Sequence, residues 1–240
     1  MIQFSEIFDK AVYLFDDPDI RMMYANDRAG YHRIMRPLLI NGLHYFTSPT
    51  AITDRLSSFS GEQGYTETPE FGELSVGSDS TVFTLCTAPV EGCAFSCRVE
   101  KQMYPVSYEE NYDKKTNTFE IPAVVKEGDS VEVSWYYAGA FTADFSHAFR
   151  SDFPMDSIME KVKNILAHAV LVSWGDVEMN RALGLRNLLS DADLATYSPA
   201  NSARALTEWH NQLNRDMDTL ISELNWRVMA TPKGGSRFGQ

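Results

Sequence analysis

The sequence predicts an α+β fold, a helical bundle built from N-terminal and C-terminal helices with a small antiparallel β-sandwich or barrel inserted between them. Three observations lead to this prediction. Apolar side chains recur at helical spacing in the first 60 residues and again after Pro154, and a stretch with two-residue alternation, punctuated by glycine and proline, lies between. The predicted parts are an N-terminal helical part (1–60), an inserted β-domain (61–148), a C-terminal helical part with a long last helix (149–229) and a tail (230–240).

The N-terminal part is predicted to contain two main helices. In the first fifteen residues the apolar side chains share one helical face: Phe4, Ile7, Phe8, Ala11, Val12 and Phe15. Asp16-Asp17-Pro18 should end this helix, because the residue before a proline avoids the helical conformation, and the aspartates should cap the next helix. A second helix is predicted from about Asp27 to Phe46, with a kink or a division at Pro37. Residues 51–59 add a short third helix.

The middle of the chain is predicted to form about five to seven short antiparallel strands. Val131 to Tyr137 alternates in the way that is typical of a strand with one buried face. Further strands are predicted at 81–85, 95–99 and 118–121, with a hairpin loop at 113–117. Because neighbouring residues of a strand face opposite ways, Trp135 is assigned to the core. This leaves at most Tyr136 as a surface residue, and core packing with an edge contact is the favoured interpretation of these aromatics.

The C-terminal part is predicted to contain three helical stretches. An apolar stripe from Ile158 to Val170 ends near Trp174-Gly175, and a separate stretch continues from Met179 towards Ser190. Ser198 and Pro199 fit the N-cap and first position of a last helix of about 30 residues, ~45 Å long. Its apolar residues recur three or four apart: Leu206, Trp209, Leu213, Met217, Leu220, Leu224 and Val228. So long a helix should pack along the preceding helix, along a neighbouring subunit, or both.

The tail after Met229 differs in composition from the rest of the chain. Residues 230–240 contain three glycines and a proline, and they carry Lys233, Arg237 and one large apolar side chain, Phe238. Such a segment is either a frayed terminus or a docking arm that becomes ordered on a partner. Lys233, Arg237 and Phe238 are therefore predicted interface residues.

Composition and cysteine content limit the class of protein. The net charge of −12, from 33 acidic and 21 basic residues, argues against general binding of nucleic acids, although DNA could still pass an acidic wall without being held. Cys86, Cys93 and Cys97 make no disulfide framework and are interpreted as buried reduced thiols. No apolar stretch approaches the length of a membrane span. The sequence thus predicts a protein that starts in the cytoplasm and has no membrane partner.

The sequence contains no recognisable active-site motif. The phosphate-binding loop, the dinucleotide fingerprint, the zinc-protease motif and the nucleophile elbow are all missing from the sequence. No two of the five histidines have metal-ligand spacing, and His168 is interpreted as a satisfied core histidine. The sequence therefore predicts no catalytic, cofactor-binding or metal-binding residue, and a chain that is not an enzyme.

The order of these segments is similar to that of a known family. The helix "FSEIFDKAVYLFDDPDI" is followed by "YHRIMRPLLINGLHYFTSP", by a β-insert whose last hairpin reads "YDKKTNTFEIPAVVKEGDSVEVSWYYAGAF", by "ILAHAVLVSWGDVEMNRAL" and by "DLATYSPANSARALTEWHNQL". This arrangement resembles the neck proteins of tailed bacteriophages, the head-to-tail connectors or portal adaptors.

The resemblance implies a structural virion protein at the head–tail junction, made in the cytoplasm of the host bacterium. It would form a homo-oligomeric ring of commonly about twelve copies, and its partners would be the portal protein and a tail or second neck protein. DNA would pass through without sequence recognition. The alternative is a tail or baseplate protein whose β-module binds a partner protein or a surface glycan, for which Tyr136 is the candidate contact residue.

Overall fold

The computed structural model describes residues 1–144, 155–188 and 199–230 of the chain. It has the predicted α+β fold, with helices towards both ends and antiparallel sheets in the middle. The helices are α1 (Phe4–Ala11), α2 (Pro18–Asn26), α3 (Arg28–Gly42), α4 (Thr50–Thr53), α5 (Tyr108–Asn111), α6 (Met155–Leu188) and α7 (Pro199–Ala230). The strands are β1 (Ile2–Gln3), β2 (Gln63–Glu67), β3 (Ser75–Val76), β4 (Thr81–Thr84), β5 (Ala94–Val99), β6 (Gln102–Tyr104), β7 (Tyr112–Asp113), β8 (Thr118–Ile121), β9 (Val131–Tyr137) and β10 (Ala140–Phe141).

The chain divides into two compact units. The β-unit comprises Met1–Pro37 and Phe59–Thr142, and the helical unit comprises Leu38–Ser58 and Ala143–Gln240. The predicted N-terminal helical part (1–60) is divided between the two units, because residues 1–37 group with the sheets. The boundary between the units falls inside α3, which continues through Pro37 without a division.

Two four-stranded antiparallel sheets form a sandwich in the β-unit, in the orders β2-β9-β5-β6 and β3-β4-β8-β7. Strand β9 buries Val131, Val133 and Trp135 in the core, as the alternation in the sequence predicts. Between the sheets, Phe95 of β5 packs against Phe119 of β8 with ring centroids 4.8 Å apart. Burial of these large side chains holds the two sheets together.

The first helices of the chain belong to the same unit as this sandwich. The buried face of α1 is the one that the sequence predicts, with Phe4, Ile7, Phe8 and Ala11. Asp17 caps α2, which is the predicted role of this aspartate, and its Oδ1 accepts a hydrogen bond from the Asp19 N–H at 2.8 Å. At the start of α3, the Ala29 N–H donates to Ser96 Oγ of β5 at 3.1 Å. This bond fixes the helix on the outer face of the first sheet.

Helix α6 is one continuous helix of 34 residues, which corrects the predicted break near Gly175. Gly175 lies inside the helix, and a Cβ atom added there would lie 2.9 Å from Cδ2 of His210 on α7. Its missing side chain therefore lets α7 approach α6 closely. Glycine marks a helix–helix contact at this position and does not end the helix.

Helix α7 begins at Pro199, as predicted, and its 32 residues span about 48 Å. It packs along α6. Within the predicted apolar stripe, Leu213, Met217 and Leu224 are buried, and Ile221 is buried with them. The remaining members of the stripe are less covered, with Leu206, Leu220 and Val228 half-buried and Trp209 exposed.

Candidate interaction surfaces

The outer face of α7, which is the side opposite its buried stripe, carries the indole of Trp226. Successive residues of a helix are rotated by about 100°, so Trp226, two residues after the buried Leu224, points away from α6. Its side chain is 76% exposed. Aromatic side chains are enriched at protein interfaces, and an exposed tryptophan is therefore a candidate contact with another protein.

Two polar contacts flank Trp226 and hold this end of α7 against α6. Lys161 Nζ lies 2.6 Å from Glu223 Oε2, and Arg227 Nη1 donates to Ser157 Oγ at 2.8 Å. The hydrogen bond and the charge of Lys161 lower the pKa of Glu223 below its usual range, so the carboxylate stays ionised. Exposed ion pairs add little stability, but these two contacts fix the position from which the indole projects.

A polar cluster joins three segments of the helical unit nearer the other end of α7. The Tyr45 hydroxyl donates to Asp176 Oδ2 at 2.6 Å, and His210 Nε2 lies 2.9 Å from Asp176 Oδ1. Asp176 therefore contacts both the turn after α3 and helix α7. We interpret the cluster as a clamp between these segments.

The chemistry of this cluster favours a structural role. Burial, followed by the hydrogen bond and charge of Asp176, raises the pKa of Tyr45 to about 12. The hydroxyl is thus a proton donor at neutral pH and not a base. A hydrolase dyad would place a nucleophile against the histidine, whereas here the hydroxyl is bonded to the carboxylate.

Tyr136, the candidate surface residue of the β-domain, is buried with only 6% of its surface exposed, so the core interpretation describes it and the surface one does not. Its hydroxyl donates to Glu62, and the guanidinium of Arg33 lies 5.3 Å from the centre of its ring. Burial and the Glu62 contact raise the pKa of Tyr136. Trp135 fills the sandwich core as predicted, and Tyr136 fills a second layer under α3. Neither offers a flat surface on which a sugar could stack.

The other three predicted interface residues, Lys233, Arg237 and Phe238, lie outside the described part of the chain. Of the cysteines, Cys93 and Cys97 are buried as predicted, whereas Cys86 is exposed. The charge of Glu67 raises the pKa of Cys86, so this thiol is not activated as a nucleophile. His168 is half-buried, and its Nδ1 lies 2.9 Å from the carbonyl oxygen of Asn164.

One side of the β-sandwich is open between the edge strand β2 and strand β4. A hollow of about 440 Å³ lies there, and its lining includes Tyr65, Glu73 and Phe83. Glu67 bridges the opening, because its carboxylate accepts hydrogen bonds from the backbone N–H groups of Cys86 (2.9 and 3.0 Å) and Thr87 (3.2 Å). This bridge leaves the rest of β2 exposed to solvent.

Sequence reasoning missed both of these exposed features. Trp226 carries a detectable signal, because it is an aromatic residue placed opposite the apolar stripe of its own helix. Strand β2 carries almost none, since Gln63, Gly64 and Glu67 are poor strand formers. The exposure of Trp226 is therefore predictable from helical geometry, whereas the free edge of β2 can be recognised only in the folded structure.

Within residues 1–144, 155–188 and 199–230, no group of three or more His, Cys, Asp or Glu side chains is arranged to hold a metal ion. None of the helices in these ranges is both long and apolar enough to cross a membrane. Comparison of the chain with protein-family models, with curated proteins and with solved structures finds no match.

Proposed function

We propose that this chain is a structural subunit of the neck of a tailed bacteriophage, which forms a ring between the portal and the tail and surrounds the DNA channel. The proposal joins the resemblance of its sequence to such connectors with the outer face of α7. The observation that carries it is the exposure of Trp226 on a 32-residue helix whose buried stripe faces the other way. The proposed role is assembly, without a catalytic residue.

Covering Trp226 would supply a useful part of a subunit contact. Burying a large apolar side chain contributes roughly 2–3 kcal/mol, and the few residues that dominate interface energies are enriched in tryptophan. In a ring of identical subunits the same contact repeats at every interface. A modest contribution for each copy therefore stabilises the whole assembly.

The charge of the chain supports the same role. With 33 acidic against 21 basic residues, the subunit has a net charge of −12. A channel wall of this sign repels the phosphate backbone, and DNA would pass without being retained. A protein that grips DNA would instead need clustered lysine and arginine.

The test is whether the protein forms rings and whether Trp226 is required for them. Purified protein, alone and mixed with the portal protein of the same phage, would be imaged by negative-stain electron microscopy and weighed by native mass spectrometry. We expect rings of defined copy number that bind the portal. Trp226→Ala should weaken assembly by about tenfold or more in concentration, which corresponds to the loss of a large buried side chain.

Tyr13→Ala is the matched control. Tyr13 is as exposed as Trp226, at 78%, but lies just after α1 in the β-unit. It should assemble like the unmodified chain. A chain that stays monomeric with and without the portal protein would exclude the connector role. Equal assembly of both variants would remove Trp226 from the contact.

A further inference from the structure

The open side of the β-sandwich has unpaired strand edges. The N–H of Glu100 donates to the carbonyl of Ser130 at 2.8 Å, at the end of the β5–β9 ladder. Since hydrogen-bonded pairs alternate along an antiparallel ladder, residues 132, 134 and 136 of β9 bond to β5, and residues 133, 135 and 137 bond to the strand on the other side, β2. Through the register of β9 with β2, residues 63, 65 and 67 of β2 bond to β9. The N–H and C=O groups of Gly64 and Thr66 therefore point away from the sheet. None of the hydrogen bonds of the described residues reaches them.

Strand β4 presents the second edge of the opening. The Leu85 N–H donates to the Asn117 carbonyl at 2.9 Å, so alternation directs Thr84 to the opposite side, beyond the end of β3. The next group on that side, the Cys86 N–H, is the one that Glu67 binds. The Glu67 carboxylate thus takes the place of the carbonyl of a neighbouring strand at one end of the gap, and the rest of the gap is unfilled.

An aromatic side chain lies half-uncovered in this gap. Tyr65 pairs with Trp135 across β2 and β9 and so lies on the core side of the sheet, yet it is 42% exposed. A core-facing aromatic residue would normally be covered by the next strand of the sheet. Added strands bind in this way, with backbone hydrogen bonds to the edge and side chains covering alternate pockets.

The charge around the gap favours a cationic segment. Glu67 and Glu73 line the hollow beside β2, and an adjoining hollow of about 470 Å³ on the far side of Thr68 is lined by Glu70 and Glu100. The one basic residue of the two hollows, Arg98, is already paired with Glu132 at 2.7 Å. At physiological salt the summed field of these carboxylates extends about 8 Å from the surface.

The chain itself contains a segment of the required kind. Residues 231–240, TPKGGSRFGQ, have two basic and no acidic side chains and follow the last residue of α7. In an extended strand Lys233 and Arg237 share one face and Phe238 lies on the other. One orientation therefore places the Phe238 ring on the same face as Tyr65 and Glu67, and both cations on the opposite face of the added strand.

We propose that residues 231–240 of a second copy of this chain bind along the free edge of β2 as an added strand. Because the donor and the acceptor are different surfaces, repetition of the contact links copies head to tail and closes a ring when the rotation allows it. The proposal rests on the ring of the proposed function, and it adds how neighbouring copies are joined.

Photo-cross-linking in the full-length chain tests this contact. A benzophenone amino acid replaces Phe238, light- and heavy-isotope chains are mixed, and cross-linked peptides are identified by mass spectrometry. We expect links between copies from position 238 to residues 63–67 and 83–86. Links only within one chain, links to another surface, or no links in samples that form rings would overturn the proposal.

Two variants separate strand pairing from general charge attraction. Thr66→Pro removes an outward N–H without touching the ladder to β9, and it should lower the yield of these links about tenfold, as the loss of edge hydrogen bonds requires. Thr66→Val keeps the N–H and should retain them. If Thr66→Pro does not fold, Lys233→Glu with Arg237→Glu, which leaves the edge intact, should abolish the links. Links that survive the charge reversal would also overturn the proposal.

The outcome is distinguishable from that of the proposed function. Rings seen by electron microscopy without links to β2 contradict this contact and leave the connector role standing. Links to β2 in a sample that forms no ring and does not bind the portal support this contact and contradict the connector role.

Discussion

In the β-unit large apolar side chains are buried between two sheets, whereas in the α6–α7 pair the largest apolar side chain of α7 lies at the surface. Phe95, Phe119 and Trp135 are all at least 96% buried, but Trp226 is only 24% buried. The sandwich therefore owes its stability mainly to its own core, with one open edge. Helix α7 packs on α6 through one apolar stripe, and its opposite face is exposed to solvent. The difference separates residues that make the fold from residues that are available for assembly.

The largest loss of stability is expected from a substitution in the sandwich core. Phe119→Ala should lower the free energy of unfolding of the β-unit by about 3–5 kcal/mol, because a fully buried phenylalanine leaves a cavity between the sheets. Urea denaturation measures this change. The control Phe71→Ala removes a side chain that is 41% exposed and should cost less than about 1 kcal/mol. Similar losses in both variants would mean that the core is not where the structure places it.

The sequence predicts the core of the sandwich better than it predicts the contacts between one element and another. Val131, Val133 and Trp135 alternate so strictly that strand, buried face and core are all predictable from them. The role of Gly175 is not predictable, because a glycine is found both at helix ends and at close contacts between helices. Only the position of His210 in the fold distinguishes the two. The burial of Tyr136 also depends on a neighbouring element, since α3 covers a sheet face that alternation alone would leave in solvent.

The next effect is a dependence of stability on pH that originates in the β-unit. His32 in α3 is buried, and neither ring nitrogen has a hydrogen-bond partner among the described residues. Burial, aided by the charge of Arg28, lowers the pKa of His32 from 6.5 to about 3. The unfolded chain therefore takes up a proton at a higher pH than the folded one, and stability is lost as the pH falls from about 6.5 towards 3.

The expected size is about 3 kcal/mol between pH 6.5 and pH 4, at 1.36 kcal/mol for each unit of pH. His32→Leu, which replaces the ring among Phe8 and Tyr31 with an apolar side chain, should remove this contribution and leave that of the carboxylates. Urea midpoints measured across this range for both proteins provide the test. Parallel curves would show that His32 is not the source of the slope.

A smaller effect is expected in the clamp of the helical unit. Tyr45→Phe removes the hydroxyl that donates to Asp176 and should cost about 1–2 kcal/mol, the usual cost of losing a hydrogen bond to a charged group. Because the pKa of Tyr45 is raised, its contribution is present below pH 10 and is lost as the pH rises towards 12. The same change at the exposed Tyr13 should leave the free energy of unfolding at neutral pH unchanged.

The smallest change in stability is expected for Trp226, the largest exposed side chain of α7. Trp226→Ala should change the free energy of unfolding of the isolated chain by less than about 0.5 kcal/mol, because its indole has little packing to lose. Ile221→Ala, five residues earlier on the buried stripe, should cost about 2–4 kcal/mol. Thermal and urea denaturation at concentrations below assembly compare the two. A loss above about 1 kcal/mol for Trp226→Ala would show that the indole is already covered within the chain. Because the proposed contact needs that surface to be free, such a result would count against assembly through the outer face of α7 as well.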